Sequence, residues 1–339
     1  MRVFIWTAVF AIGVWLLGLT FWTGQLREET HSLAVSANNF SAAVNQLQDN
    51  IRRNAPTSTL VFVGDIMLSR NIGKRMENRE DWEYPFEKVK KYLSSADFVF
   101  GNLESPISDR GNNQGSIWSF RADPRTILGL RAAGIDVVSL ANNHIWDWGK
   151  DALLDTVNKL EEVGIATLGA GENKKMANAG RVFKINGTRV GFLAYTDLYP
   201  EGLAATEEGP GVSVWSRDQI LSDIKRLKAE SDLLFVSWHS GTEYEKNPDA
   251  QQKETYKWLV AAGVDLVVGH HPHVIQPVEE YGGGWIAYSL GNFIFDQYFS
   301  KETMEGMVLE VSIRSGKITG IETRKVILSQ DFQPSLEGI

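Results

Sequence analysis

Six short apolar runs in this chain end in side chains that bind cations. VFVGD ends at Asp65, FVFGNLE at Asn102 and Glu104, and VVSLANNH at Asn142, Asn143 and His144. LLFVSWH ends at His239, LVVGHHPH at His270, His271 and His273, and AYSLGN at Asn292. The runs read as buried strands. Helical patterns near 85–95, 124–133, 150–163, 216–229 and 250–262 separate them, so the chain from residue 59 onward reads as an α/β domain. In open α/β sheets ligands bind at the carboxyl ends of strands, where residues remote in sequence converge. Five of the six histidines fall just after such a run. One histidine or asparagine there is ordinarily a satisfied, partly buried group or a turn. The same types at strand end after strand end point to a divalent-metal site, because carboxylate, amide carbonyl and imidazole together suit hard-to-borderline ions.

Composition narrows the chemistry. The chain has no cysteine, which excludes disulfides, thiolate zinc sites and cysteine nucleophiles. Its 42 acidic residues outnumber 34 Lys and Arg, giving a net charge of −8. That balance exerts no general pull on nucleic acid or anionic lipid, and no nucleic-acid partner is expected.

The N-terminus differs in kind. Val3 to Thr23 carries no charge over about 21 residues, enough at ~1.5 Å per residue to cross a ~30 Å hydrocarbon core. Trp6 and Trp22 sit near its ends, and Arg2 favours the N-terminus inside and the bulk of the chain outside. The expectation is an anchor over residues 1–24, which makes the protein single-pass in the cell membrane with its C-terminal domain extracytoplasmic. A cleaved signal peptide is the competing reading. Its apolar run is usually ~7–15 residues and ends at a small-x-small site, whereas this one closes on Phe21-Trp22-Thr23. Residues 25–55 follow as a helical stalk. Leu26, Leu33, Phe40 and Leu47 recur every seven residues, with Thr30, Ala37, Val44 and Ile51 between them. The pattern is a coiled-coil seam for self-association, or equally one amphipathic helix lying on a domain or membrane. Pro56 ends it. The remaining domain is expected over 56–339.

Turn chemistry marks three hairpins. Asn186-Gly187 joins Val182–Ile185 to Arg189–Tyr195, Gly282-Gly283-Gly284 marks a second, and Ser315-Gly316 a third. With these elements in place, GDIM at 64–67, GNLE at 101–104, ANNH at 141–144, HSGTEY at 239–244, GHHPHV at 269–274 and SLGNFIFDQ at 289–297 form a series. The series, with FRADP at 120–124 and Asp147-x-Gly149, resembles the CapA family, the poly-γ-glutamate capsule biosynthesis proteins. That family is a branch of the calcineurin-like metallophosphoesterase fold. The likeness runs from about residue 59 to 300 in unbroken motif order.

The resemblance implies a four-layer α/β/β/α sandwich of metallophosphoesterase type, with a divalent-metal cleft. It also implies a role in capsule polyglutamate assembly or export beside synthase and export membrane proteins. Carried across, Asp65 takes the first metal carboxylate, and Asn102 or Glu104 the bridging position. Asn143 offers a side-chain carbonyl, and His239, His271 and His273 complete the ligands. His270 is the spare histidine of its run, and Glu243 and Asn292 are expected to orient the ligands. Metallophosphoesterases carry Asp-x-His at the first strand end, where this chain has Met67. The CapA branch shares that departure. The usual tryptophan after His239 is Ser240 here.

A metal so held, whether manganese, zinc or iron, lowers the pKa of a bound water. His144 is placed to donate a proton, and Arg121 to orient a phosphate or carboxylate. Arg121 reads equally as a surface arginine before a helix capped by Asp123-Pro124. Two function classes remain. One is a metal-dependent hydrolase, phosphoesterase-like. The other is a non-catalytic scaffold or polyanion-binding subunit of a membrane polymer-assembly complex.

Overall fold

A computed structural model describes the backbone from residue 2 to 337 except residue 201. It describes side chains over 13–44, at 46, over 55–200 and over 202–337. The chain forms two compact units, Met1–Ala55 and Pro56–Ile339.

The first unit is one helix, α1 (Arg2–Asn54). It stops two residues before Pro56, where a proline ring disfavours helical backbone. Among the described residues no helix is long and apolar enough to cross a membrane. The side chains of residues 3–12 of the expected anchor are not among those described, and residues 13–23 alone span only ~16 Å against the ~30 Å required. In the stalk, Leu26, Leu33 and Phe40 are exposed, and the side chains of Leu47 and Ile51 lie outside the described residues.

The second unit is built on two sheets. Strands β1 (Ser58–Ile66), β2 (Phe98–Leu103), β3 (Val137–Ser139) and β4 (Ala166–Leu168) pair in parallel as one half of the first sheet. β5 (Ala170–Gly171) later pairs with β8 (Gly211–Val212) in a small separate sheet. The second sheet takes the hairpin β6 (Arg181–Ile185) and β7 (Thr188–Thr196), then β9 (Leu233–His239), β10 (Leu266–His270), β11 (Val278–Tyr281) and β12 (Gly284–Ala287). Its order is β11-β12-β10-β9-β7-β6. The chain then returns to the first sheet through β13 (Asn292–Ile294), β14 (Glu305–Arg314), β15 (Lys317–Leu328) and β16 (Pro334–Leu336). That sheet runs β16-β15-β14-β1-β2-β3-β4, with β13 also against β1.

Period-two alternation explains the layering. Leu60 and Phe62 of β1 face the second sheet, with Phe192 and Phe235 among their partners. Val61 and Val63 face the opposite way, into a core that includes Leu130 of α4 (Ile127–Ala132) and Leu153 of α5 (Gly149–Glu162). On the outer face of the second sheet, Val236, Trp238 and Val267 pack with α7 (Arg217–Glu230) and α8 (Ala250–Ala261). Helices therefore cover the outer face of each of two sheets packed face to face.

All three expected hairpins are present, and Asn186 and Gly187 both take the positive φ that a two-residue turn needs. Two expected helices are shorter than their patterns. Pro85 and Pro124 open 3-10 turns at Tyr84–Phe86 and Pro124–Thr126, and only α3 (Lys90–Leu93) and α4 continue them. Helices α2 (Arg70–Arg79) and α6 (Lys174–Ala177) add to those expected. The only buried residues of α2 are Ile72 and Met76, one i,i+4 pair, too weak a pattern to find by periodicity.

Candidate metal centre

Register assembles the site. Asp65 lies opposite Asn102 of β2 on one side and Asn292 of β13 on the other. His270 lies opposite His239 in the second sheet. β1 is irregular just before Asp65, and Gly64 makes that possible: a Cβ there would stand 1.9 Å from the Gly291 oxygen. The close approach lets the Asp65 N–H donate to Gly291 O at 3.0 Å, a local bend of the kind found beside active sites. His271 and His273 both have left-handed backbone, at φ 99° and 57°, conformations that cost non-glycine residues energy and cluster at functional sites.

Asp65 is fully buried. Its Oδ1 accepts from Asn102 Nδ2 at 2.9 Å, and Oδ2 lies 3.2 Å from His273 Nδ1. His270 Nδ1 is 3.2 Å from Oδ1 without the alignment of a hydrogen bond. Burial by itself would raise this carboxyl, but the His270 and His273 rings outweigh it and hold it well below the usual range. Glu104, also fully buried, is pushed well above its ordinary value by burial and by the Asp65 charge. Burial and His271 hold His239 well below its ordinary value, and burial and His273 hold His271 at about 3. Both are therefore neutral imidazoles, the form that binds metal.

Hydrogen bonds fix the rings. His273 Nδ1 lies 3.0 Å from Asn292 Oδ1, whose amide nitrogen donates to Gln297 Oε1 and Thr303 O. With oxygens facing Nδ1, that atom carries the hydrogen and Nε2 keeps its lone pair, 3.9 Å from Glu104 Oε2. His239 Nε2 donates to Asn143 Oδ1 at 2.8 Å. That leaves its Nδ1 as an acceptor 3.3 Å from Asn102 Nδ2.

The expected ligand Asn102 is corrected by its partners. Its Oδ1 accepts from Asn142 Nδ2 at 3.2 Å, and Asn142 is itself pinned because its Oδ1 accepts the N–H groups of His144 and Ile145. Asn102 thus presents its amide nitrogen to the centre, toward Asp65 Oδ1, Glu104 Oε1 and His239 Nδ1 at 2.9, 2.9 and 3.3 Å. Two hydrogens face three acceptors.

This excess of acceptors is what a cation would satisfy. Ligand atoms of Asp65, Glu104 and His239 lie within 4.8 Å of one another, as do those of Glu243, His271 and His273. Glu104 Oε2 and His271 Nδ1 are buried without a hydrogen-bond partner, a cost of about 1–3 kcal/mol each that coordination would offset. The mixed oxygen and nitrogen donors fit manganese, zinc or iron. Met67 offers nothing to the site, since its sulfur accepts from Ser69 N and Oγ at 3.1 and 3.0 Å.

His144 stands beside the cluster, nearly buried, with its ring 4.1 Å from Phe120. Its Nδ1 lies 2.9 Å from Asp147 Oδ2, which also accepts from Phe120 N at 2.7 Å. Nε2 is left for the two clefts that His144 lines, of about 340 and 600 Å³. The motif series contains Asp147 without disclosing this role, for which its i,i+3 spacing from His144 is the one local sign. Arg121 is brought elsewhere: its guanidinium stacks 3.4 Å over the Trp148 ring. The arginine lining the smaller cleft is Arg70, which no motif singles out.

The family model described as Bacterial capsule synthesis protein PGA_cap matches residues 59–297. The capsule biosynthesis protein CapA of Bacillus anthracis is 37% identical over 264 residues, covering 76% of this chain and 64% of that protein. The PGA biosynthesis protein CapA of Bacillus subtilis (strain 168) is 32% identical over 250 residues, covering 73% and 66%. The chain thus spans just under two thirds of the length of these curated relatives. The crystal structure of a 5'-nucleotidase precursor from Thermus thermophilus superposes with a TM-score of 0.50 at 12% identity, covering 83% of this chain and 56% of that one. At such identity the likeness carries the fold, of metallophosphoesterase type. With the match running unbroken through all the strand ends that build the cleft, the chain belongs to the bacterial capsule synthesis protein family PGA_cap.

Proposed function

We propose that the protein is a divalent-metal-dependent hydrolase of poly-γ-glutamate capsule biosynthesis or export, cleaving a phosphoester, or an amide or ester of a surface polymer. The observation that carries this reading is the pairing of His144 with Asp147 beside a buried, acceptor-rich cluster in an open cleft. A scaffold needs no oriented imidazole there.

Asp65, Glu104 and His239 would hold one divalent ion and Glu243, His271 and His273 a second, with Asn143 orienting His239 beside them. A divalent cation, when bound, lowers the pKa of water and draws charge from an anionic oxygen. Asp147 accepts the Nδ1–H of His144, so the ring turns Nε2 to the cleft, and in its doubly protonated form would pass the Nε2 proton to the leaving oxygen and return to the neutral Nδ1–H imidazole. Asn292 holds His273 in the tautomer that frees Nε2. Phe120 and Phe295 wall these two histidines, with ring centres 4.1 Å from His144 and 4.7 Å from His273.

The uncharged run at 3–23 supports membrane tethering, with the domain outside and the synthase and export proteins of the polymer as neighbours. The full-length protein, loaded with manganese, tests the reading against a generic phosphodiester such as bis-p-nitrophenyl phosphate. We expect turnover that disappears, together with the metal, in Asp65→Ala. Normal polymer output in cells from His144→Ala at matched expression would overturn the catalytic reading in favour of a binding subunit.

A further inference from the structure

We propose that Arg70 forms an oxyanion-binding subsite at the mouth of the metal cleft. It rests on the hydrolase reading above and names the chemistry of the group that Arg70 grips, a phosphate or carboxylate of the substrate. Among the described residues, Arg70 is the one Lys or Arg lining the smaller cleft, which it shares with His144 and His273. A carboxylate-rich cleft needs such a cation to retain an anion beyond the reach of the metal ion.

The guanidinium is placed but not used up. Its Nη2 lies 3.2 Å from Oδ1 of Asp296, whose side chain is fully buried and accepts the Asn71 N–H at 3.2 Å. The Asp296 Oδ1 contact lacks hydrogen-bond alignment, so it anchors Arg70 by charge alone. The Phe120 and Trp118 rings lie 5.5 and 5.6 Å from the guanidinium carbon. These contacts fix position through charge and ring faces while leaving the planar N–H fork for a ligand. Arg70 also sits in left-handed backbone at φ 52°, at the turn from β1 into α2. A third of its side chain is exposed. Arg121, which the sequence suggested for this task, is stacked on Trp148 instead.

The test is calorimetric titration of inorganic phosphate, and separately of glutarate, into the full-length manganese-loaded protein. We expect Arg70→Gln to weaken the bound anion by about 10- to 100-fold with manganese content unchanged. Arg70→Lys should fall between, because it keeps the charge and loses the fork. Phosphate bound and glutarate ignored identifies a phosphoryl group; glutarate bound as well identifies a carboxylate. Near-UV circular dichroism checks folding, and if Arg70→Gln fails to fold, Arg70→Lys carries the comparison. Wild-type affinity in the folded variants, or no binding of either anion to wild type, overturns the proposal. A protein that takes up no manganese but binds phosphate through Arg70 would sink the hydrolase reading and leave this subsite standing.

Discussion

Nδ1 of His273 lies 3.0 Å from Oδ1 of Asn292, a residue in register with Asp65 on the neighbouring strand. One short strand, β13, thus sets the tautomer of a histidine that arrives from the other sheet. Partners of this kind matter to metal binding nearly as much as the ligands do.

Asn292→Ala should therefore weaken manganese binding by about 10- to 100-fold while the ligand residues all remain. Calorimetry on the purified protein reads this directly. An unchanged affinity would show that the ring is held by Asp65 alone.

His144→Ala should reduce turnover by about 10²–10⁴-fold with metal content near wild type. Asp147→Asn should reduce it less, because the ring keeps its place against Phe120 but loses the carboxylate that orients it. Steady-state kinetics beside elemental analysis separates the two effects. Loss of metal in either variant would count against the assigned roles.

The metal-free protein should lose stability toward acid. His271 has an ordinary value near 6.5 in the unfolded chain and is held at about 3 in the fold by burial and His273. Between those values the unfolded chain binds a proton that the native state refuses, so stability falls as pH drops from about 6.5 to about 3. The slope from this one group is at most about 1.4 kcal/mol per pH unit. Urea unfolding in chelator should show a pH dependence flatter by that amount in His271→Gln. Parallel curves for the two proteins would refute the assignment.

Residues 25–55 should promote self-association, since Leu26, Leu33 and Phe40 are exposed along a seven-residue repeat. Sedimentation of chains beginning at residue 25 and at residue 56 compares the two. Equal monomer masses at micromolar concentration would rule out a coiled-coil seam.

Much of the fold could be read locally. The Asn186-Gly187 and Ser315-Gly316 turns need no long-range information, because their backbone demands positive φ wherever they sit. Helix α2 could not be read, with one buried pair in a polar segment. In the site, Asp65, Glu104, Asn143, His239, His271 and His273 were visible as chemistry at the ends of apolar runs. The orientation of Asn102 was not, since it depends on Asn142, 40 residues away, and on the backbone that pins Asn142.

Sequence by itself therefore determined which side chains stand at strand ends, because apolar runs and the residues that stop them are local properties. Which of those side chains meet was left to the pairing of strands and the packing of two sheets. Register puts Asp65 between Asn102 and Asn292, and sheet packing brings His239 to Asn143. The same folding stacks Arg121 on Trp148 and leaves Arg70 in the cleft. Two arginines with the same chemistry differ only in the tertiary surroundings of their side chains, and no local pattern encodes those.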